Sequence, residues 1–347
     1  MNTHNSNSTK QIVILGTGGT IAGKAASRTD NVGYTAAQVG VAQLLAAIPS
    51  LVGVNGSAQY AEFDLVCEQV AQVDSKDMNF AVWQLLLARC AHWLAQPQVQ
   101  GVVVTHGTDT LEETAYFLQA TLNPSKPVVM ACAMRPSTAI APDGPQNLLD
   151  ALAVAALSGG QGVVAVCAGM IHSAFDVQKV HTSRLDAFSS GDAGAVGTVA
   201  EGQLTIYRNR PSNQPLAGVN IAYVAIDNIA KLSALPRVDI VYNHSGSDGA
   251  IVDALLAQKD ATPSQGLRGI VVAATGNGTI STDLEAALRR AQAAGVVVWR
   301  STRCAFGQVI GKSDAEFADA SGASQGLTAI KARVALMLQL AAGSAAV

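Results

Sequence analysis

The chain has 347 residues, of which 49% are hydrophobic and 14% charged, with a formal net charge of −3. That length holds two domains of ordinary size, and that apolar share fills a large buried core. The small negative charge advertises no nucleic-acid partner, and no apolar run approaches the roughly 18 residues of a membrane span.

In chain order, the opening "MNTHNSNSTKQ" is polar and carries no hydrophobic segment. As it stands it is not a secretory signal, so a cytoplasmic protein is expected, or a periplasmic one if an upstream signal was removed. Strand-like runs follow at Ile12–Leu15, Gly101–Thr105, Pro127–Ala133, Gly162–Cys167, Val238–Tyr242, Gly269–Ala274 and Val296–Arg300. Many are continuously apolar, which is the pattern of parallel strands covered on both faces. Helical patterns lie between them at Val39–Ile48, Met78–Leu94, Leu111–Leu122, Gln146–Leu157, Asp248–Leu256, Asp283–Ala294 and Ala329–Leu340. Strand–helix alternation predicts an α/β fold with its ligand crevice at the carboxyl ends of the strands.

The alternation breaks between about Gly202 and Pro236, where "EGQLTIYRNRPSNQPLAGVN" holds no long apolar helix. A hairpin is expected at Glu201-Gly202. The expected division is an N-terminal domain over 10–205, a linker over 206–235 and a smaller C-terminal domain over 236–347. The five cysteines, Cys67, Cys90, Cys132, Cys167 and Cys304, are scattered and odd in number. Three sit in apolar runs, so they read as buried thiols and not as a disulfide or zinc framework.

Three turns carry chemistry. In "ILGTGGTIAGKAAS" a strand runs into Gly16, Thr17, Gly18, Gly19 and Thr20. Gly18 with Gly23-Lys24 has phosphate-loop spacing, but Ala25 stands where a magnesium-binding hydroxyl belongs, and Ile21 occupies the third glycine position of a dinucleotide fingerprint. A tight glycine turn with structural threonines is the bland alternative. In "VVVTHGTDTLEETAYFL" the pair Thr110 and Glu113 fits a capping box, while Thr108 and Asp109 stand before it at the strand's carboxyl end. A hydroxyl beside a carboxylate can position a nucleophile or bind an ammonium group. His106, beside the strand end, is expected to be a structural hydrogen-bonder. In "AVCAGMIHSAFDVQKVHTSRLDAF" the lone Lys179 is a solvated cation unless burial lets it act as a base towards a hydroxyl.

"TGGTIAG", "THGTDTLEETAYFL", "AMRPSTAIAPDGPQNL" and "DVQKVHTSRLDAF" together resemble the bacterial-type L-asparaginase and glutaminase-asparaginase family, in order and over most of the chain. The resemblance implies a larger N-terminal flavodoxin-like α/β domain and a smaller C-terminal α/β domain. It also implies L-asparagine as substrate, no metal or organic cofactor, and a homotetramer built as a dimer of dimers. Thr20 matches the principal nucleophile, and Tyr34 the tyrosine of the mobile lid that follows it. The lid, "KAASRTDNVGY", is small and polar, hence expected to be poorly anchored. Thr108, Asp109 and Lys179 match the second catalytic group. Ser75 matches a serine that binds the substrate's α-carboxylate, and Asn277 a residue that reaches a neighbouring subunit's site.

One departure stands out. Lys76 follows Ser75 where the family often has glutamine or glutamate, and an ammonium group cannot accept a hydrogen bond from another. Asp314 and Glu316 are both candidates for an acidic residue supplied to a partner's site. Two further readings stay open: comparable L-glutamine hydrolysis, and a non-catalytic amino-acid sensor on the same fold. One methylene in a pocket is worth roughly 1–3 kcal/mol, so the residues alone do not rank the two amides.

Overall fold

The computed structural model describes residues 9–48, 51, 62–208, 226–261, 266–310, 318–319 and 326–344. The chain divides into two compact units, Met1–Ser212 and Asn213–Val347.

The first unit begins with β1 (Lys10–Gly18), the short strands β2 (Lys24–Ala25) and β3 (Tyr34–Thr35), and helix α1 (Val41–Ala46). It continues with β4 (Phe63–Val73), α2 (Phe80–Leu94), β5 (Val99–Thr105), α3 (Leu111–Leu122), β6 (Val128–Ala131) and α4 (Gly144–Ala156). It closes with β7 (Val163–Cys167), β8 (Met170–Ser173), β9 (Gln178–Lys179), β10 (Phe188–Ser189), β11 (Gly197–Ala200) and β12 (Gln203–Ile206). One sheet of eight strands has the order β12-β11-β8-β7-β6-β5-β1-β4. β4, β1, β5, β6 and β7 run parallel, and β8, β11 and β12 add antiparallel pairs at the other end.

The continuous apolar runs become the middle of this sheet. Every residue of β6 and β7 is buried, because helices cover both faces. Leu148 and Leu152 of α4 pack with Ile12, Ile14, Val103, Val129 and Val164 in one core cluster. β4 was not legible as a strand. It is the sheet's edge, its burial is broken and uneven, and it carries Asp64, Glu68 and Gln69, so it has no sustained apolar run. Arg89 and Trp93 of α2 hold its Glu68 carboxylate, at 2.5 Å and 2.8 Å. The hairpin at Glu201–Gly202 forms as expected, with φ of 50° and 73°, the left-handed pair that suits a two-residue turn.

The pairing of β1 with β4 is irregular near its end. Gly16 lies opposite Gln69, but Gly18 lies opposite Val73. β4 therefore spends two extra residues over that step.

The second unit contains α5 (Ile226–Ala230), β13 (Val238–Tyr242), α6 (Ala250–Ala261), β14 (Gly269–Ala274), α7 (Thr282–Ala293), β15 (Val297–Thr302), β16 (Ala318–Asp319) and α8 (Ala329–Ser344). Its four strands form a parallel sheet in the order β13-β14-β15-β16. Val272 and Val298 meet Leu284 and Leu288 of α7 in its core. Among the described residues no helix is long and apolar enough to cross a membrane.

Candidate active site

In the first unit the parallel strands deliver four turns to one edge of the sheet: Gly19–Thr20 after β1, Asp74–Ser75 after β4, His106–Asp109 after β5 and Cys132–Ser137 after β6. The first three meet through glycine. Gly19 has φ 79° and ψ −171°, a region open almost only to glycine. A Cβ there would lie 2.3 Å from the Cα and the N of Gly107. A Cβ on Gly107 would in turn lie 2.4 Å from Ser75 Oγ. Two backbones and the Ser75 side chain thus touch where any larger residue would hold them apart, and each glycine directly precedes a threonine.

The first turn is not built as a phosphate nest. Gly19 N–H donates to Val73 O at 3.0 Å, Ala22 N–H to Gly19 O at 3.2 Å and Gly23 N–H to Thr20 O at 2.8 Å. The two threonines differ in use. Thr17 donates its hydroxyl to Thr105 O at 2.8 Å and ties β1 to β5. Thr20, 6% exposed, has its Oγ1 2.7 Å from the Tyr34 hydroxyl.

Tyr34 sits on β3, which pairs with β2 to make a small hairpin. This stretch is held more firmly than its composition predicts. Ser137 donates both its N–H, at 3.0 Å, and its hydroxyl, at 2.7 Å, to Gly23 O. Ala25 N–H donates to Thr138 Oγ1 at 2.8 Å, and Ile140 N–H to Arg28 O at 3.0 Å. The anchoring loop is itself fixed by Asp143, whose carboxylate accepts from the N–H groups of Met134 and Arg135 at 2.8 and 2.9 Å. The motif "AMRPSTAIAPDGPQNL" is thus a clamp on the hairpin. No residue of it was singled out from the sequence, because its partners lie more than a hundred positions upstream.

The second cluster assembles beside Ser75. Lys179 Nζ donates to Thr108 Oγ1 at 2.8 Å and to Asp109 Oδ1 at 2.6 Å. The Lys179 side chain is 18% exposed and that of Asp109 56% exposed, so the pair faces solvent through the carboxylate. Lys179 is positioned by the ribbon of β9 and β10, where it lies opposite Phe188. Ser75, 2% exposed, accepts the Asp109 N–H on its Oγ at 3.2 Å.

The expected capping box does not form. Thr110 stands at the N-cap of α3 without a side-chain cap bond and donates its hydroxyl to Ser75 O at 2.7 Å. The hydroxyl that a capping box would use to accept the Glu113 N–H instead donates to a distant carbonyl, and this bond pins the Ser75 turn to the Thr108 turn.

Lys76 is turned to its own neighbours. Its ammonium group lies 2.5 Å from Asp74 and 3.6 Å from Asp77, and the Asp74 hydrogen bond raises its pKa. Asn277 belongs to the second unit. There its side chain accepts from Ile310 N at 2.7 Å and donates to Ile310 O at 3.2 Å. Asp314 and Glu316 lie outside the described residues.

His106 is wholly buried, and burial pulls its pKa down to about 4. The neutral ring faces Gly107 O through Nδ1 at 2.7 Å, so Nδ1 carries the proton, since a carbonyl can only accept. All five cysteines are free; Cys90, Cys132 and Cys167 are buried, Cys67 and Cys304 exposed. Burial pushes the Cys90 thiol up to about 12, which leaves it inert as a nucleophile.

Two threonine hydroxyls, one against a phenol and one against an ammonium group, stand on touching turns. Two family models match the chain. The model for the N-terminal asparaginase domain matches residues 11–212, and that for the glutaminase/asparaginase C-terminal domain matches 237–346.

The chain belongs to the asparaginase family.

It is 38% identical over 331 residues to L-asparaginase 2 of Bacillus subtilis, covering 95% of this chain and 82% of that one. It is also 38% identical over 334 residues to L-asparaginase 2 of Escherichia coli, covering 95% and 88%. The crystal structure of a probable cytoplasmic L-asparaginase from Campylobacter jejuni superposes with a TM-score of 0.82 at 37% identity, over 95% of each chain. Asparaginases are amidohydrolases, and the two-domain α/β arrangement described above is theirs.

Proposed function

We propose that this chain hydrolyses L-asparagine to L-aspartate and ammonia with Thr20 as nucleophile. The Thr20 oxygen attacks the side-chain amide carbon while its proton passes towards Tyr34. Backbone N–H groups at the turns hold the oxyanion. The tetrahedral adduct collapses, the C–N bond breaks, and the nitrogen leaves as ammonia with that proton. Water then attacks the aspartyl ester on Thr20 by way of Thr108, whose oxygen Lys179 holds; the water's proton passes through Thr108 to the Thr20 oxygen as the acyl–oxygen bond breaks and L-aspartate leaves. Ser75 takes the substrate's α-carboxylate and Asp109 its α-ammonium group; Lys76, held by Asp74 and Asp77, takes no part. The course needs no metal or organic cofactor.

One observation carries this reading. Lys179, from β9, donates to both Thr108 and Asp109 on the turn that touches the Thr20 turn. A non-catalytic sensor has no use for a lysine on a threonine hydroxyl. The test is to quench the protein in acid during turnover of L-asparagine and map the trapped ester by mass spectrometry. An aspartyl ester on Thr20 is expected. An ester on Thr108 exchanges the roles of the two threonines, and no ammonia release from asparagine or glutamine refutes the function. L-Glutamine is the second substrate on this reading, favoured by the matched C-terminal family, which includes glutaminases.

We further propose a cytoplasmic homotetramer, built as a dimer of dimers, in which Asn277 serves a neighbouring chain's site. A fully active monomer in light scattering at low concentration refutes the assembly. We place the domains at 10–205 and 236–347 with a linker over 206–235, and limited proteolysis should cut within that linker.

A further inference from the structure

Behind the nucleophile turn lies a pocket that the reaction does not use. It is lined by Ile21, Leu44, Ala47, Ile48, Arg135, Ser137, Gly144, Pro145 and Leu148 and holds about 380 Å³ of empty space open to solvent. Its wall is mostly apolar: Ile21, Ile48 and Leu148 are buried, and Leu44 packs against Ile21 and Val39. The polar side chains in the lining are those of Arg135 and Ser137.

These two differ in what they have left to offer. Ser137 spends its hydroxyl on Gly23 O. The Arg135 guanidinium donates to Ala141 O at 3.0 Å and meets no carboxylate among the described residues. Asp143 accepts the Arg135 backbone N–H instead. An apolar pocket with an uncompensated guanidinium in its lining fits a ligand with an apolar tail and one anionic end.

Both walls lead to the site. Ile21 follows Thr20 directly. Ser137 holds Gly23, and a Cβ on Gly23 would stand 2.9 Å from the Tyr34 ring.

We propose that this pocket is a second ligand site, that it takes a short unbranched aliphatic monocarboxylate, and that its occupancy strengthens binding of the amide substrate. The tail lies along Ile21, Leu44, Ile48 and Leu148, and the carboxylate meets Arg135. A ligand bound there fastens Ile21 and Ser137 in the arrangement described, and with them the Tyr34–Thr20 hydrogen bond. Binding to one arrangement shifts the population towards it, and the coupling is reciprocal. The effect on substrate rests on the roles proposed for Thr20 and Tyr34; binding in the pocket does not.

The test titrates hexanoate into the full chain by calorimetry at fixed ionic strength. One saturable site is expected, with a dissociation constant at or below about 1 mM. Arg135→Gln should weaken it about tenfold, as the loss of a charge-assisted contact does. Ala47→Phe, which places a ring in the mouth from an exposed helix end, should abolish it with the circular dichroism intact. Hexylammonium should show no saturation. Saturating L-aspartate should leave hexanoate bound and tighten it, hexanoate should tighten L-aspartate by the same factor, and KM for L-asparagine should fall when hexanoate is present.

An unchanged hexanoate affinity in Ala47→Phe overturns the proposal, as does displacement of hexanoate by L-aspartate, which puts it in the catalytic crevice. Normal ammonia release with no saturable hexanoate binding defeats this inference alone. Saturable binding that Ala47→Phe abolishes, with no amide hydrolysed, defeats the catalytic reading and leaves the pocket assigned.

Discussion

Gly19→Ala tests whether contact between the two turns matters to catalysis. The new Cβ would stand 2.3 Å from Gly107 Cα and N, where real Cβ contacts stay beyond 3.0 Å. Both obstructing atoms are backbone, so no side chain can swing aside, and the turns must part by at least about 0.7 Å. The conformation itself, φ 79° and ψ −171°, adds roughly 1–3 kcal/mol of strain for a residue with a Cβ. A displacement near 1 Å between catalytic groups costs about 100-fold in rate. We therefore expect kcat for ammonia release to fall about 100-fold, with a drop of a few degrees in Tm. Gly40→Ala is the control: at φ −71° its nearest contact would be Gln69 Oε1 at 3.7 Å, and turnover should stay within about twofold. Gly19→Ala turning over within about threefold of wild type would refute the claim that the two turns work as one site.

Lys179→Met and Thr108→Val should each lower kcat by about 100- to 10,000-fold, the share that positioned proton transfer supplies. Their double variant should lie within about threefold of the worse single one, and a multiplicative loss would separate the two residues. Because Asp109 is 56% exposed, Lys179→Met should cost stability only about 1 kcal/mol or less, which urea unfolding checks. Thr138→Val, which leaves the Ala25 N–H without its acceptor, should raise KM by about three- to tenfold, and Thr138→Ser should restore it. His106 stays neutral in the folded chain down to about pH 4, whereas the unfolded chain protonates it near pH 6.5. Stability should therefore be lost as pH falls from about 6.5 towards 4, by up to about 3 kcal/mol, and urea unfolding of His106→Asn should show a shallower acid loss.

The strands that bury both faces were the easiest to read. β14, buried at all six positions, begins and ends where the apolar run Gly269–Ala274 does. β4 was hidden because an edge strand needs apolar side chains only on part of its surface, and Glu68 answers to Arg89 and Trp93 of a helix well downstream. Thr110 shows the limit of local rules: its spacing to Glu113 spells a cap, yet Ser75 O, distant in sequence, claims the hydroxyl. The residues of the site were individually legible through their motifs. Their grouping was not, since nothing in "TGGT" or "THGTD" says that Gly19 and Gly107 touch. The clamp from Ser137, Thr138 and Ile140 was illegible for the same reason: its acceptors and donors are mostly backbone groups, which leave no trace in residue type.

The uneven pairing of β1 with β4 makes the edge strand a measuring rod. Its two surplus residues carry Val73 to the Gly19 N–H and deliver the serine that follows Asp74 against Gly107. Exposed positions of β4 such as Asp64 and Cys67 face solvent, so substitutions there are cheap. Its residue count is not free: one residue added or removed between Gln69 and Val73 would reverse which face each later side chain presents and carry Ser75 off Gly107. In such a chain the sheet could keep its core while the crevice lost one wall. Relatives that keep this crevice should therefore vary freely at the exposed positions of that edge and hardly at all in its length.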